Sequence, residues 1–545
     1  MDCQLVGALF LQASTVGAQD DSFEARESTI NGVRTALLSG QTSCREVVSS
    51  FLARIEQFNP TLNALVSLSP DALSTADELD QRIAADDTTG KLLCVPVLLK
   101  DNYDAVGTNT TGSCVALAGN SPTADTPSVK AFRDEGAIIL GKTNMHEMAL
   151  EGLSVSSLGG QTVNPYDLTR TPGGSSGGTG AAIAASFAIF GTGTDAVNSL
   201  RSPASANNLV SVRPTRGLVT RRGILPVSFT QDSIGPIARN LDDLAVALTV
   251  MASVGPDEAD NATLLVPPEA RGIDYTEALS EGSLEGLRIG LLDGFWNHTA
   301  SDETTPVIDA LASTVDFLKS EGAEVITVTE SIYNATALAS LDVQKWEYMQ
   351  AVNGYLSSPN VGGERSANFD QLYGSGKFLV IPNQYTFVAS ALNSSVTDPA
   401  YAITLQGIDD LKKSVEATFT SNELDAVIYP EQKNLVVKVG SPSQSGRNGI
   451  LAALTGVPVV TVPVGFSPSS SDAPIGVPIG MEILGLPFSE SKLLNIASHI
   501  TSLRPLRQTP AFVNESVAIG SYASMPPMQP DTANIPAAYP VGKLS

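Results

Sequence analysis

Residues 171–204 read TPGGSSGGTGAAIAASFAIFGTGTDAVNSLRSPA. Two glycines, two serines and two more glycines open the stretch at positions 173–178. The small apolar residues of 181–190 predict a tightly packed helix. A second turn-rich segment, 191–198, then leads to Ser199. Glycine permits backbone shapes that a side chain forbids and lets N–H groups approach a ligand closely. The stretch therefore presents two groups of hydroxyls and N–H donors on either side of one helix. That is a frame for a nucleophile and an oxyanion site.

Such a nucleophile needs a base. The chain has three histidines, His146, His298 and His499, and none has a strong claim. Two overlapping Gly-x-Ser-x-Gly matches, centred on Ser175 and Ser176, suggest a nucleophile elbow, but that motif needs a strand leading into the turn. Arg170-Thr171-Pro172 is poor strand material. Residues 489–492 match Ser-x-x-Lys without its companion motifs. Residues 191–196 match a relaxed dinucleotide fingerprint, but no acidic residue follows about 20 positions on. Lysine offers more. The apolar run 92–99 reads as a doubly buried strand, and Lys100 sits at its end. A lysine so placed is expected to be half buried, and such lysines shift pKa readily.

Together, the block 173–178, Gly193-Thr194-Asp195, Ser199-Leu200-Arg201-Ser202-Pro203-Ala204 and Val97-Leu98-Leu99-Lys100-Asp101-Asn102 resemble the amidase signature family. The resemblance runs from about residue 37 to 507, and Gly141-Lys142-Thr143-Asn144-Met145 shares it. It implies an α/β fold: a single large domain with a mixed central β-sheet flanked by helices on both faces. It implies a Ser–Ser–Lys triad, with Ser199 as nucleophile, Ser175 as a bridging serine after a cis peptide bond, and Lys100 as base. The expected reaction is hydrolysis of a carboxylic amide through a serine acyl-enzyme. The oxyanion donors would be the backbone N–H groups of Ala196, Val197, Asn198 and Ser199. Asp195 and Arg201 would hold that loop, and Asn144 would position backbone near the site. No metal and no cofactor are expected, and the partner is a small-molecule amide. The commonest family pattern has two glycines directly before the nucleophile, where this chain has Val197-Asn198. Asparagine tolerates left-handed backbone and valine does not, so the oxyanion turn is the point of departure. The alternatives are an inactive binding protein on the same fold or an amidotransferase A-type subunit.

Composition sets the bounds. The chain has 545 residues, 42% hydrophobic and 16% charged, as a globular protein does. Its net charge of −25 repels polyanions, so nucleic acid is not an expected partner. No apolar run reaches the ~18 residues of a membrane span. The apolar residues 5–11, with Val16-Gly17-Ala18 after them, predict a secretory signal peptide over 1–18, although 1–4 carry no positive charge. The amidase-like domain is then 19–545, secreted or in the secretory pathway, with a cytoplasmic address as the alternative. Glycosylation sequons at Asn109, Asn261, Asn297, Asn334, Asn393 and Asn514 are compatible with secretion. Of Cys3, Cys44, Cys94 and Cys114, cleavage would leave three and at most one bridge.

Along the chain, the apolar spacing predicts helix from 24 to about 58, ended by Asn59-Pro60, and again over 70–85. Helix is predicted at 128–135, 241–252, 307–321 and 493–503. Strands are predicted at 92–99, 137–140, 287–292, 323–328, 426–429, 457–464 and 481–484. The strand–helix–strand alternation over 287–328 argues for a layered α/β fold. Residues 255–286 read as a surface connection, 335–410 as helices with loops, and the tail after Arg507 as extended.

Overall fold

The computed structural model describes residues 23–279 and 283–539. The predicted signal peptide, its cleavage site and Cys3 lie outside the described residues. Among these residues, no helix is long and apolar enough to cross a membrane.

Eleven strands form one mixed sheet. In chain order they are β1 (Leu65–Leu68), β2 (Pro96–Lys100), β3 (Ile138–Thr143), β4 (Phe190–Asp195), β5 (Val210–Arg213), β6 (Ser233–Ala238), β7 (Arg288–Leu292), β8 (Glu324–Val328), β9 (Ala426–Pro430), β10 (Val459–Phe466) and β11 (Pro478–Leu484). Across the sheet the order is β1-β3-β2-β4-β6-β5-β10-β11-β9-β7-β8. β2 runs parallel to both β3 and β4, and β7 parallel to β8 and β9; the other pairs are antiparallel. Successive strand residues face opposite sides. β2, β3, β4 and β6 are buried at every position, so both of their faces are covered. Helices flank the sheet, Gly177–Ala184 packing on β2, β3 and β4 and Leu241–Ala252 on β4, β5 and β6.

The pattern of the sequence holds for most of these elements. The helix Leu241–Ala252 spans its predicted residues, and β7, the helix Thr305–Ser320 and β8 form the predicted strand–helix–strand unit, with β7 and β8 paired in parallel. The organising stretch differs. Its helix is Gly177–Ala184, and the run that reads as helix through 190 ends there; Ser186 takes φ +57°. The segment read as turn-rich from 191 is mostly β4, a central strand. An unbroken apolar run cannot separate a buried helix from a buried strand. The glycines of β4 admit close neighbours instead: a Cβ on Gly193 would lie 2.7 Å from Leu200 and 3.0 Å from Ser176 Oγ. β6 also escapes the sequence reading, because Gly235-Pro236 hides a strand that pairs with both β4 and β5.

At the N-terminal side, 24–58 resolves into two helices, Ile30–Leu38 and Cys44–Leu62. Pro60 lies inside the second, which ends at Asn63 in left-handed geometry (φ +51°) rather than at Asn59-Pro60. Its start is a capping box. Ser43 Oγ accepts from the Glu46 N–H at 3.2 Å, and the Glu46 carboxylate accepts from the Ser43 N–H at 2.9 Å. Cys44 and Cys94 form a disulfide, and Cys114 is buried and free.

After the helix Glu490–Leu503 the described residues form no further strand, only the short turn of helix Ala511–Val513. It returns across the N-terminal helices. The Arg54 guanidinium, fully buried, donates to the carbonyls of Val513 (2.8 Å) and Glu515 (2.9 Å). Arg507 pairs with Glu27 at 2.6 Å, and the Gln161 N–H donates to the Asn534 carbonyl at 2.8 Å.

Candidate active site

Lys100 is the last residue of β2 and is fully buried. Its Nζ lies 2.7 Å from Ser175 Oγ, 2.8 Å from Thr194 Oγ1 and 3.4 Å from the Thr194 carbonyl. A neutral amine has one lone pair and two N–H groups, and these three partners suit it: the Ser175 hydroxyl donates to the lone pair while the two hydrogens go to Thr194. Burial supplies the matching electrostatics. It disfavours the ammonium and lowers Lys100 to about 7, against the opposing attraction of Asp195 and Asp232.

Ser175 follows a cis peptide bond from Gly174. Its carbonyl accepts from the His146 N–H at 3.0 Å. The next hydroxyl, Ser176 Oγ, donates to the Ser199 carbonyl at 2.5 Å, tying the glycine–serine turn to the loop after β4. His146 itself is buried, its Nε2 against the Gln384 amide, and burial lowers its pKa to about 4. Lys142 is likewise buried and structural, 3.5 Å from Asp101. Asn144 ties down the hairpin beside the site, its Nδ2 donating to the Gly160 carbonyl (3.1 Å) and Thr162 Oγ1 (3.0 Å).

Ser199 sits in the loop between β4 and the helix Arg201–Ala206. Ser175 and Ser199 both line one cavity of about 830 Å³, together with Thr194 and Ala196. Among the described residues, the Ser199 hydroxyl makes no hydrogen bond to another protein group, and the N–H groups of Ala196, Val197, Asn198 and Ser199 have no protein acceptor. Neither Val197 nor Asn198 takes positive φ, so the replacement of two glycines asks no left-handed geometry of them.

A buried charge network holds this loop from behind. Asp195 accepts from the Leu200 N–H (3.0 Å), Arg201 Nε (3.0 Å) and Arg213 Nη1 (3.0 Å). Burial raises the Asp195 carboxyl, but Arg201 and Arg213 outweigh it and hold the group below its usual range. Arg201 also pairs with Glu482 at 2.7 Å and donates to the carbonyls of Gly449 (2.9 Å) and Val197. Asn198 Nδ2 donates to Glu431 Oε1 at 3.0 Å. Burial and then the nearby Glu482 push Glu431 up to about 8, so it is protonated at neutral pH. Gly449 makes room for the Asn198 side chain: a Cβ there would lie 2.4 Å from Asn198 Cβ.

The candidates Lys100, Ser175 and Ser199, and the loop Ala196-Val197-Asn198, are thus brought to one site. Sequence reasoning missed Asn102, whose Nδ2 donates to Thr194 Oγ1 at 3.1 Å, and the network members Arg213, Glu431 and Glu482. The available signal was an acidic residue inside or just after an apolar strand, as in Pro478–Leu484 and at Glu431 after Ala426–Pro430.

A family model described as Amidase matches residues 46–494. The chain is 31% identical over 496 residues to the A-type subunit of the glutamyl-tRNA(Gln) amidotransferase of Thermoanaerobacter pseudethanolicus, covering 86% of this chain and 95% of that one. Its structure is similar to that of the peptide amidase of Stenotrophomonas maltophilia, with TM-score 0.77, 30% identity, and 89% and 99% of the two chains covered. An amidase family protein from Bacillus anthracis str. Ames aligns with TM-score 0.75 at 26% identity, over 89% and 92% of the two chains.

Proposed function

The chain belongs to the amidase signature family and is an amide hydrolase, and on that footing we propose that Lys100, Ser175 and Ser199 carry out its reaction on a small-molecule carboxylic amide. One observation carries the assignment: the fully buried Lys100 amine meets Ser175 Oγ at 2.7 Å beside the cavity that Ser199 also lines. A serine hydroxyl is a weak nucleophile until a base takes its proton. Lys100, neutral in a large fraction near pH 7, accepts the Ser175 proton as Ser175 accepts that of Ser199. Ser199 Oγ attacks the amide carbonyl, and the N–H groups of the 196–199 loop stabilise the negative oxygen. The C–N bond breaks as the relay returns the proton to the departing amine. Water then attacks the acyl-enzyme by the same relay and releases the acid.

Fluorophosphonate labelling followed by peptide mass spectrometry tests the roles. The adduct is expected on Ser199. Ser199→Ala loses turnover and labelling together. Ser175→Ala loses about 10²–10⁴-fold in turnover, the range of a proton-transfer contribution, and keeps slow labelling. An adduct on Ser175 or Ser176 with Ser199 unmodified would overturn the assignment.

The curated relatives whose names make them A-type components of an amidotransferase favour a second reading, in which this chain is such a component. The purified chain alone should hydrolyse a simple amide; a strict requirement for partner chains would favour the second reading instead.

We also place the protein in the secretory pathway, as a glycoprotein with residues 1–18 removed. The Cys44–Cys94 disulfide supports this, since such bonds persist in oxidising compartments. So does the exposure of five of the six sequon asparagines, Asn109, Asn261, Asn334, Asn393 and Asn514. Native protein should begin at about Gln19, the residue after the small-residue site; intact Met1 in a cytosolic fraction would exclude it.

A further inference from the structure

The cavity that Ser175 and Ser199 line has a wall that carries, among the described residues, an unpartnered hydrogen-bond acceptor and a carboxylate without an ion pair. Asn102 and Asp104 both line it, each 2% exposed. Asn102 spends its Nδ2 on Thr194 Oγ1 and on the Leu225 carbonyl (3.2 Å), and its buried Oδ1 has no partner among the described residues. A buried acceptor without a donor costs free energy unless something fills the role.

Asp104 adds a charge, held by hydrogen bonds and by no ion pair. The Tyr355 hydroxyl donates to its Oδ1 at 2.6 Å. No lysine or arginine among the described residues forms an ion pair with it. The cation that acts on it is Lys142, which Asp101 shares, and the Lys142 amine donates to the carbonyls of Tyr103 (2.7 Å) and Asn109 (2.9 Å) and to Thr110 Oγ1 (3.3 Å). Two buried carboxylates therefore stand against one lysine, and of the two it is Asp104 that lines the cavity. Burial raises Asp104 to about 6, against the Tyr355 hydroxyl, Lys142 and Thr110, which lower it.

A third feature adds to this. The helix Gln344–Leu356 ends at the same wall, where Gly354, Tyr355 and Ser358 line the cavity, and it has no basic residue in its last turn. A helix C-terminus carries partial negative charge and favours a cation. The arginines that line the cavity are already engaged. Arg221 pairs with Asp260 and Arg222 with Asp257, each at 2.6 Å, and Arg216 donates to the Thr230 carbonyl. The same cavity is also lined by apolar side chains, among them Leu225, Val227 and Ala351.

We propose that this cavity selects amides bearing a protonated amine, which docks on Asn102 and Asp104 while an apolar part of the substrate lies along Leu225 and Val227. Asp104 is then a specificity-determining residue. The inference rests on the amidase reading of the same cavity and names its substrate class.

Hexylamine and hexanol, equal in length and different in charge, test it by calorimetric titration of the wild-type protein and Asp104→Asn at pH 7.5. Hexylamine is expected to bind wild type at least ~10-fold more tightly than hexanol, the scale of a hydrogen bond to a charged group. Asp104→Asn should lose that preference and leave hexanol binding within about 2-fold, since it removes charge alone. Equal affinity of wild type for the two ligands overturns the proposal, and this arm needs no variant. If Asp104→Asn is misfolded by circular dichroism, Tyr355→Phe replaces it and should change the amine-to-alcohol ratio while keeping the fold. Hydrolysis of 4-nitroacetanilide is followed in parallel. Turnover without amine preference defeats this inference alone. Amine binding with neither turnover nor labelling of Ser199 defeats the amidase reading.

Discussion

Replacing Lys100 by methionine separates what the side chain does for catalysis from what it costs the fold. The amine has pKa 10.5 when solvated and about 7 in the native protein. At 1.36 kcal/mol per decade this gap corresponds to about 5 kcal/mol. Below pH 7 the whole of it opposes folding, because the native state must bury an ammonium or give up its proton. Between pH 7 and 10.5 the unfolded chain binds a proton that native Lys100 has released, so wild-type stability rises with pH, and above 10.5 the cost is gone. Lys100→Met removes this term and leaves the hydroxyls of Ser175 and Thr194 without their amine, a loss of about 1–3 kcal/mol. The variant should therefore be more stable than wild type at pH 6, and the difference should shrink by about 3 kcal/mol by pH 9.5. Urea unfolding at several pH values measures it. Over the same range, wild-type kcat/KM should rise with an inflection at about pH 7, and the variant should lose at least ~10²-fold and the inflection with it. A stability difference that stays flat with pH would refute the reasoning, whatever happened to the rate.

Other perturbations probe the surroundings. Arg201→Met leaves Glu482 buried without its cation and should destabilise by about 3–5 kcal/mol in urea unfolding; a loss below ~1 kcal/mol would mean that Arg213 alone satisfies the network. Glu431→Gln keeps an acceptor for Asn198 and should leave kcat near wild type, whereas Glu431→Leu strands the amide and should lower kcat more than it raises KM. Equal kcat in the two variants would remove Glu431 from loop positioning. Joint replacement of Cys44 and Cys94 by serine opens a link between residues 50 apart and should cost about 4 kcal/mol by the loop-closure relation. Adding reductant to wild type should give a similar loss, and no change in either experiment would refute the estimate.

Much of the site was legible because its chemistry depends on residue types that are rare in their settings. A lysine at the end of an apolar run and paired serines among glycines stand out in any sequence. The supporting residues do not. Glu431 and Glu482 reach the nucleophile loop from β9 and β11, more than 200 positions away, and only sheet order brings them there. The strand β4 was hidden for a related reason. Its glycines look like turn residues, yet in a central strand they admit a close-lying side chain and hydroxyl, a property of the neighbours rather than of the segment. Asn102 and Asp104 were in plain view two and four residues beyond Lys100, but the unpartnered Asn102 Oδ1 and the lack of an ion pair at Asp104 are visible only once the nearby donors have been assigned.

The return of the C-terminal tail over the first helices sets a timetable for biosynthesis. Arg54 is separated by 459 residues from the Val513 carbonyl that it requires. At 5–20 residues per second, about 20–90 s pass between the synthesis of the two. During that interval the guanidinium has no tail carbonyl to meet, and the N-terminal layer stands uncapped while the catalytic sequence is being made. The nascent chain is thus unfinished at its beginning until its end arrives, and a protein truncated before residue 513 remains in that state.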